Sequence, residues 1–324
     1  MINDIINKLR LFFDVKSIIG ISISLFCMWW AFRDFQFNSF IKIIIEIKYL
    51  NVILAGLLLW LSVWLRGLRW KFLFSSYQSP NVFSLYRIQM MGYFGNNVLP
   101  LRAGEIMRAF MINKELGLSK TYAFGTIILE RFLDMMVLIL LAFLLVAIYP
   151  NENIFQLNLV WGSLSLMLVV LIAFKILNHL KKMKAEFFFV KYVIEVLDGI
   201  RSLELKFIFP VIILSIFIWG IYLLDVYLLQ RAFELNLNFS QILIILVFSF
   251  MAMGVPAAPG MVGTYHASVQ YVLVNLFGFS SILGNSFALV MHAYGYILLT
   301  FIGSYYFMRS QFKLGMISRE IKEK

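Results

Sequence analysis

The sequence predicts an all-α polytopic membrane protein, with about six full transmembrane helices, two re-entrant broken-helix hairpins and both termini inside. Three observations predict it. Hydrophobic residues make up 62% of the chain, and the mean hydropathy of +0.87 comes from several apolar runs of spanning length. Lysine and arginine collect in particular connections rather than along the whole chain. Two apolar stretches break on the same spaced pair, Pro100 with Gly104 and Pro259 with Gly263. Each arm beside a break holds ~14 residues, roughly 21 Å of helix against a hydrocarbon core of ~30 Å. Unpaired backbone at that depth is tolerated only where protein buries it or a polar cavity wets it.

Taken in order, full spans are expected at 17–31, 50–73, 121–149, 155–177, 207–230 and 282–308. The first broken segment, 82–116, lies between the second and third spans, and the second, 240–277, between the fifth and sixth. Trp29, Trp30, Trp64 and Trp70 fall near proposed span ends, as interfacial aromatics do. With the N-terminus inside, the cytoplasmic stretches 1–16, 66–87, 114–120, 175–206 and 309–324 hold 21 Lys and Arg residues, against four in the outer stretches. Three spans separate the breaks, so the hairpins enter from opposite faces, the geometry of an inverted repeat. The whole chain, 1–324, reads as one integral membrane domain. Its pseudo-repeats are about 17–149 and 155–308, and 309–324 is a short basic tail. The 183–203 stretch predicts an amphipathic helix, either lying on the inner leaflet or serving as a solvated connector.

Composition also excludes classes. The net charge of +11 does not form one patch, so nucleic acid is not an expected partner. A single cysteine, Cys27, rules out an intramolecular disulfide. The N-terminus precedes a full-length apolar run with no small-residue cleavage site, so no cleavable signal is expected. No P-loop, D-x-D motif or metal-ligand spacing occurs, and no cofactor, metal or catalytic set is assigned.

Ionisable residues within apolar segments mark candidate sites. The first hairpin carries Arg102, Glu105 and Arg108, and the following span Glu130, Arg131 and Asp134. These six sum to zero charge. They suit either an ion-pair network that locks hairpin to span, or arginine forks held by carboxylates for a lipid phosphate. The helix starting near Ala103 adds its amides and positive dipole end, and Gly260 and Gly263 open a second such helix. Asn96 and Asn97 suit a headgroup or freed carbonyls equally. Arg66 and Arg69 read either as snorkelling anchors or as a first phosphate contact. Asp225 reads as the partner of a buried cation or as a proton relay. His266 and His292 read as hydrogen-bonded core residues or, with Asp225, as carriers of coupling protons.

Asn97-x-x-Pro100-x-Arg102-x-Gly104-Glu105-x-x-Arg108, Glu130-Arg131-x-x-Asp134 and Pro256-x-x-Pro259-Gly260-x-x-Gly263 together resemble the lysylphosphatidylglycerol synthase transmembrane-domain family, also called the flippase-like domain family. The resemblance covers nearly the whole chain and includes Arg66 and Arg69. It implies two pseudo-repeats with re-entrant elements, and a role in moving or handling anionic lipids in the cytoplasmic membrane. Larger relatives carry a C-terminal aminoacyl-transferase domain, and this chain ends before one begins, so transferase activity is not carried over. Many members have a glutamate after the second Pro-Gly motif, where this chain reads Thr264-Tyr265-His266.

The expected function is translocation, as flippase or scramblase, of an anionic phospholipid or a polyprenyl-phosphate lipid. Without an ATP site it runs downhill or on an ion gradient. The alternatives are a membrane glycosyltransferase using polyprenyl-phosphate sugars, with Glu105, Glu130 or Asp134 as base, and an accessory subunit. The protein partners that fit are a second copy of the chain or a separate lipid-modifying enzyme.

Overall fold

The computed structural model describes residues 15–33, 35–74, 80–99, 102–148, 188–254 and 257–310. Among them the chain is all-helical, with eleven α-helices and no strand. In order they are α1 (Val15–Phe32), α2 (Phe37–Glu46), α3 (Tyr49–Phe72), α4 (Val82–Val98), α5 (Ala103–Leu116), α6 (Lys120–Ile148), α7 (Phe188–Ile200), α8 (Leu205–Ala232), α9 (Phe239–Ala252), α10 (Thr264–Tyr271) and α11 (Ser281–Arg309). By length and composition α3, α8 and α11 are apolar and long enough to cross a bilayer. At 29 residues α6 is as long as α11, and it carries Glu130, Arg131 and Asp134. The 155–177 span, Pro100 and Pro256 lie outside the described residues.

Both breaks occur where the proline spacing predicts. The first ends α4 at Val98 and restarts as α5 at Ala103. The second ends α9 at Ala252, passes through a 3-10 turn at Pro259–Met261, and restarts as α10 at Thr264. A one-turn π-helix, Val272–Leu276, follows α10. Two elements differ from expectation. The 33–49 connection contains α2, whose apolar residues Phe37, Ile41 and Ile45 recur every four positions and are exposed. The amphipathic helix expected on the leaflet or as a solvated connector, α7, packs along α6. A Cβ on Gly199 would lie 2.2 Å from the Tyr122 carbonyl oxygen, and one on Gly125 2.2 Å from that of Val196. Only hydrogen at both positions allows that approach, and Leu197 is buried in consequence.

The chain forms two compact units. Unit one takes the described residues of Met1–Trp60, Gly92–Gly104 and Ile221–Tyr305. In it α10 packs against α1 and α9. Unit two takes those of Leu61–Met91, Glu105–Gly220 and Tyr306–Lys324. Its core is built around Trp70, Phe74, Leu85, Ile88, Met107 and Tyr122.

Candidate functional site

Unit two encloses a network of ions. Arg66 and Arg69 are three apart on α3, and Glu130 and Asp134 four apart on α6, so each pair shares a helix face. Arg66 Nη1 donates to Glu130 Oε1 at 3.0 Å and to Asp134 Oδ2 at 2.9 Å. Arg69 donates through Nη2 to Asp134 Oδ1 at 2.8 Å and through Nη1 to the Ser215 hydroxyl at 3.0 Å. From α5, Arg108 bonds Glu130 Oε2 at 2.5 Å and Glu105 Oε2 at 2.9 Å. Arg131 pairs with Glu105 at 2.8 Å and reaches Asp134 at 3.5 Å. Gln89 adds an amide donor to Glu130 at 3.2 Å. The Arg108 guanidinium lies 4.1 Å over the ring of Trp70, whose Nε1 donates to Thr126 at 2.9 Å.

This arrangement corrects several expectations. Arg66 and Arg69 are fully buried rather than snorkelling. Trp70 likewise belongs to the core and not to an interfacial belt. Charges of this kind are retained in a low-dielectric interior only when their lone pairs and protons are matched, and here carboxylates on α6 match them. Arg102 belongs instead to unit one. The neutral set of six is therefore replaced: among the described residues of unit two, four guanidinium groups face three carboxylates, leaving one surplus positive charge. Among the described residues, the Nε donors of Arg69, Arg108 and Arg131 are buried without an acceptor. Arg131 is the partly open member, its side chain 38% exposed against 3% or less for the other three. Glu105, in the first turn of α5, already answers that helix's positive end.

In unit one the two breaks meet. Arg102 holds a left-handed backbone, φ 56°, and its guanidinium donates to the Met253 carbonyl, where α9 ends. A cation at a helix C-terminus faces the negative end of its dipole and caps a carbonyl that helix geometry leaves open. The same guanidinium lies 3.7 Å from the Met261 sulfur, in the second break. Asn97 donates its amide to Thr300 at 2.8 Å, and Tyr296 donates its hydroxyl to the Asn97 carbonyl at 3.3 Å. The Asn97 side chain thus bonds α11, while its own backbone carbonyl, one residue before the end of α4, is satisfied by Tyr296. Gly104 is required for close approach, because a Cβ would lie 2.0 Å from the Gly92 carbonyl oxygen. Gly263 stands at φ 97°, with the Ser24 carbonyl where a Cβ would go. The Ser24 hydroxyl accepts the Ala258 amide at 2.7 Å, pairing backbone that the break exposes.

The other predicted ionisable residues are also in unit one. His292 Nε2 donates to the Gly260 carbonyl at 2.8 Å, and His266 Nδ1 accepts from the Gly263 amide at 3.3 Å. Asp225 is buried on α8, and no cation pairs with it among the described residues. The cationic partner expected for it is not found there. Ser24, Gln89, Ser215, Tyr296 and Thr300 escaped the sequence reading because single polar residues in apolar runs carry no periodic signal. The sequence singles out Arg66 and Arg69, but nothing in their spacing pairs them with the carboxylates of α6.

A family model described as the lysylphosphatidylglycerol synthase TM region matches residues 17–303. Over 194 residues the chain is 25% identical to a UPF0104 membrane protein of Methanocaldococcus jannaschii, a stretch that is 56% of this chain and 79% of that one. It is 34% identical to another UPF0104 membrane protein of that organism over 100 residues, 30% of each chain. It is 24% identical over 266 residues to a UPF0104 membrane protein of Methanothermobacter thermautotrophicus, 74% of this chain and 77% of that one. No solved structure matches the chain. Motifs, helices and matched residues agree, and the chain belongs to the lysylphosphatidylglycerol synthase TM region family of membrane proteins.

Proposed function

We propose that the chain translocates a phosphate-bearing anionic lipid, a phospholipid or a polyprenyl phosphate, across the cytoplasmic membrane. The observation that carries this reading is the surplus positive charge of the unit-two network, presented through Arg131. Arg131 is the member of the network open enough to meet a visiting phosphate, which would take up the surplus charge through forked hydrogen bonds. Arg66, Arg69 and Arg108, each committed to carboxylates, then hold the network's shape and field, while Arg131 makes the contact. In this reading six helices cross fully, the two broken segments are re-entrant hairpins of an inverted repeat, and both termini are cytoplasmic. The pseudo-repeats are about 17–149 and 155–308.

The glycosyltransferase alternative needs a free carboxylate as base. Glu105, Glu130 and Asp134 each accept from guanidinium groups, so their oxygens are engaged by cations rather than by a substrate proton. The test is leaflet exchange in liposomes holding the purified chain, with labelled phosphatidylglycerol in one set and labelled polyprenyl phosphate in another. Exchange is expected for at least one lipid, weakened in Arg131→Gln and partly kept in Arg131→Lys. Wild-type vesicles that exchange neither lipid would sink the proposal.

A further inference from the structure

Asp225 lies in the C-terminal part of α8 and is 3% exposed. Neither of its carboxyl oxygens has a hydrogen bond of normal geometry among the described residues. The groups near it are phenols: Tyr265 from α10 and Tyr294 from α11, whose hydroxyl stands next to the carboxyl, with Tyr222 one turn earlier on its own helix. Beyond Tyr265 come two imidazoles. Its ring centre is 5.0 Å from that of His292 and 6.4 Å from that of His266, and the two histidine rings are 4.6 Å apart. No lysine or arginine among the described residues pairs with Asp225.

An ionised carboxylate buried without a counter-cation is costly enough that the group takes up a proton instead. Phenol and imidazole both donate and accept, so a proton released by the Asp225 carboxyl has a route through them. The histidines also tie that route to the backbone of the second break. His292 Nε2 already donates to Gly260, so a proton arriving from Asp225 is taken on its other ring nitrogen. His266 uses Nδ1 as an acceptor for the Gly263 amide, so a proton placed there breaks that bond. Both glycines hold left-handed backbone, with φ of 68° and 97°.

We infer that Asp225, with Tyr265, Tyr294 and the His266–His292 pair, forms a proton-exchange site that acts on the second break. This deepens the translocation reading, on which its role rests, by naming the coupling ion. The proton leaves the carboxyl O–H and is taken up by an imidazole nitrogen, leaving carboxylate and imidazolium until solvent resets both.

Two measurements on the purified full chain test it. The first is infrared difference spectroscopy near neutral pH. A protonated-carboxyl band is expected in wild type, absent in Asp225→Asn, and shifted in Asp225→Glu, which serves as the comparison if the asparagine variant fails to fold. A band unchanged by either substitution would overturn the site. The second is exchange of labelled anionic lipid in vesicles under an imposed pH gradient or an imposed sodium gradient. The pH gradient is expected to accelerate wild-type exchange several-fold, and this acceleration is expected to vanish in Asp225→Asn. Exchange indifferent to the pH gradient, or driven by sodium in its place, would overturn the coupling. If wild-type vesicles exchange no lipid, the translocation reading fails, and the infrared result alone upholds or overturns the proton site.

Discussion

Glu130 is the residue on which the unit-two network turns. It is fully buried and lies within 3.9 Å of guanidinium nitrogens from Arg66, Arg69, Arg108 and Arg131. Removing one partner of a buried pair strands the other, at a cost of about 3–5 kcal/mol. Arg108→Ala is therefore expected to lower the thermal unfolding midpoint in detergent sharply, through loss of the 2.5 Å bond to Glu130 and the cover over Trp70. Arg131→Gln should cost much less stability, because that side chain is partly solvated. A different pair offers a pH test. Lys48 bonds Glu234, just past the end of α8, and holds that exposed carboxyl below its ordinary value, first by the hydrogen bond and then by charge. The pairing favours the ionised form, so it supports the fold above the ordinary carboxylate range and is lost as pH falls through the lowered value. In an NMR titration the Glu234 midpoint should rise toward normal in Lys48→Ala. At this scale the carboxylates were legible, with Arg108 and Arg131 as partners, but not the pairing of Arg66 and Arg69 with them. Arg102 is close in sequence to Glu105, yet it turns to Met253, and no spacing rule brings α3 to α6.

Elements were more legible. The observed bounds of α1, α3, α6, α8 and α11 lie within a few residues of the expected spans, because long apolar runs and their ends are strong signals. Both breaks fall at their Pro-Gly pairs. The sequence hid α2 and the seating of α7, for different reasons. In α2 the apolar stripe is short and faces outward. In α7 the decisive feature is a pair of glycines, Gly125 and Gly199, whose value is shape rather than hydropathy. Gly125→Val would drive methyl groups into the Val196 carbonyl, so α7 should detach from α6. Faster hydrogen exchange across Phe188–Ile200 is the measurement that checks this, and unchanged protection would count against the packing. At the second break, Gly260→Ala meets both a φ of 68° and the Tyr296 ring, 2.4 Å from where its Cβ would be. It is expected to lower the unfolding midpoint more than Gly220→Ala, whose Cβ meets nothing within 4 Å.

Over the whole molecule, neither compact unit is a continuous piece of chain: each gathers three separate stretches. Hydropathy along a sequence cannot reveal such interleaving. The arginines of α3 and the carboxylates of α6 show what this means for biogenesis. A ribosome feeds α3 to the insertion machinery while Glu130 and Asp134 are still unmade, so Arg66 and Arg69 must wait without counter-ions. The later helix, with three ionisable residues in its length, gains a reason to enter lipid only when those guanidinium groups are already there. Insertion of α6 should therefore depend on residues made some sixty positions earlier. In cell-free synthesis with microsomal or inverted bacterial vesicles, Arg66→Ala combined with Arg69→Ala should leave α6 poorly inserted, scored by alkaline extraction of nascent chains stalled after residue 148. Equal retention with and without the two arginines would show that α6 enters on its own.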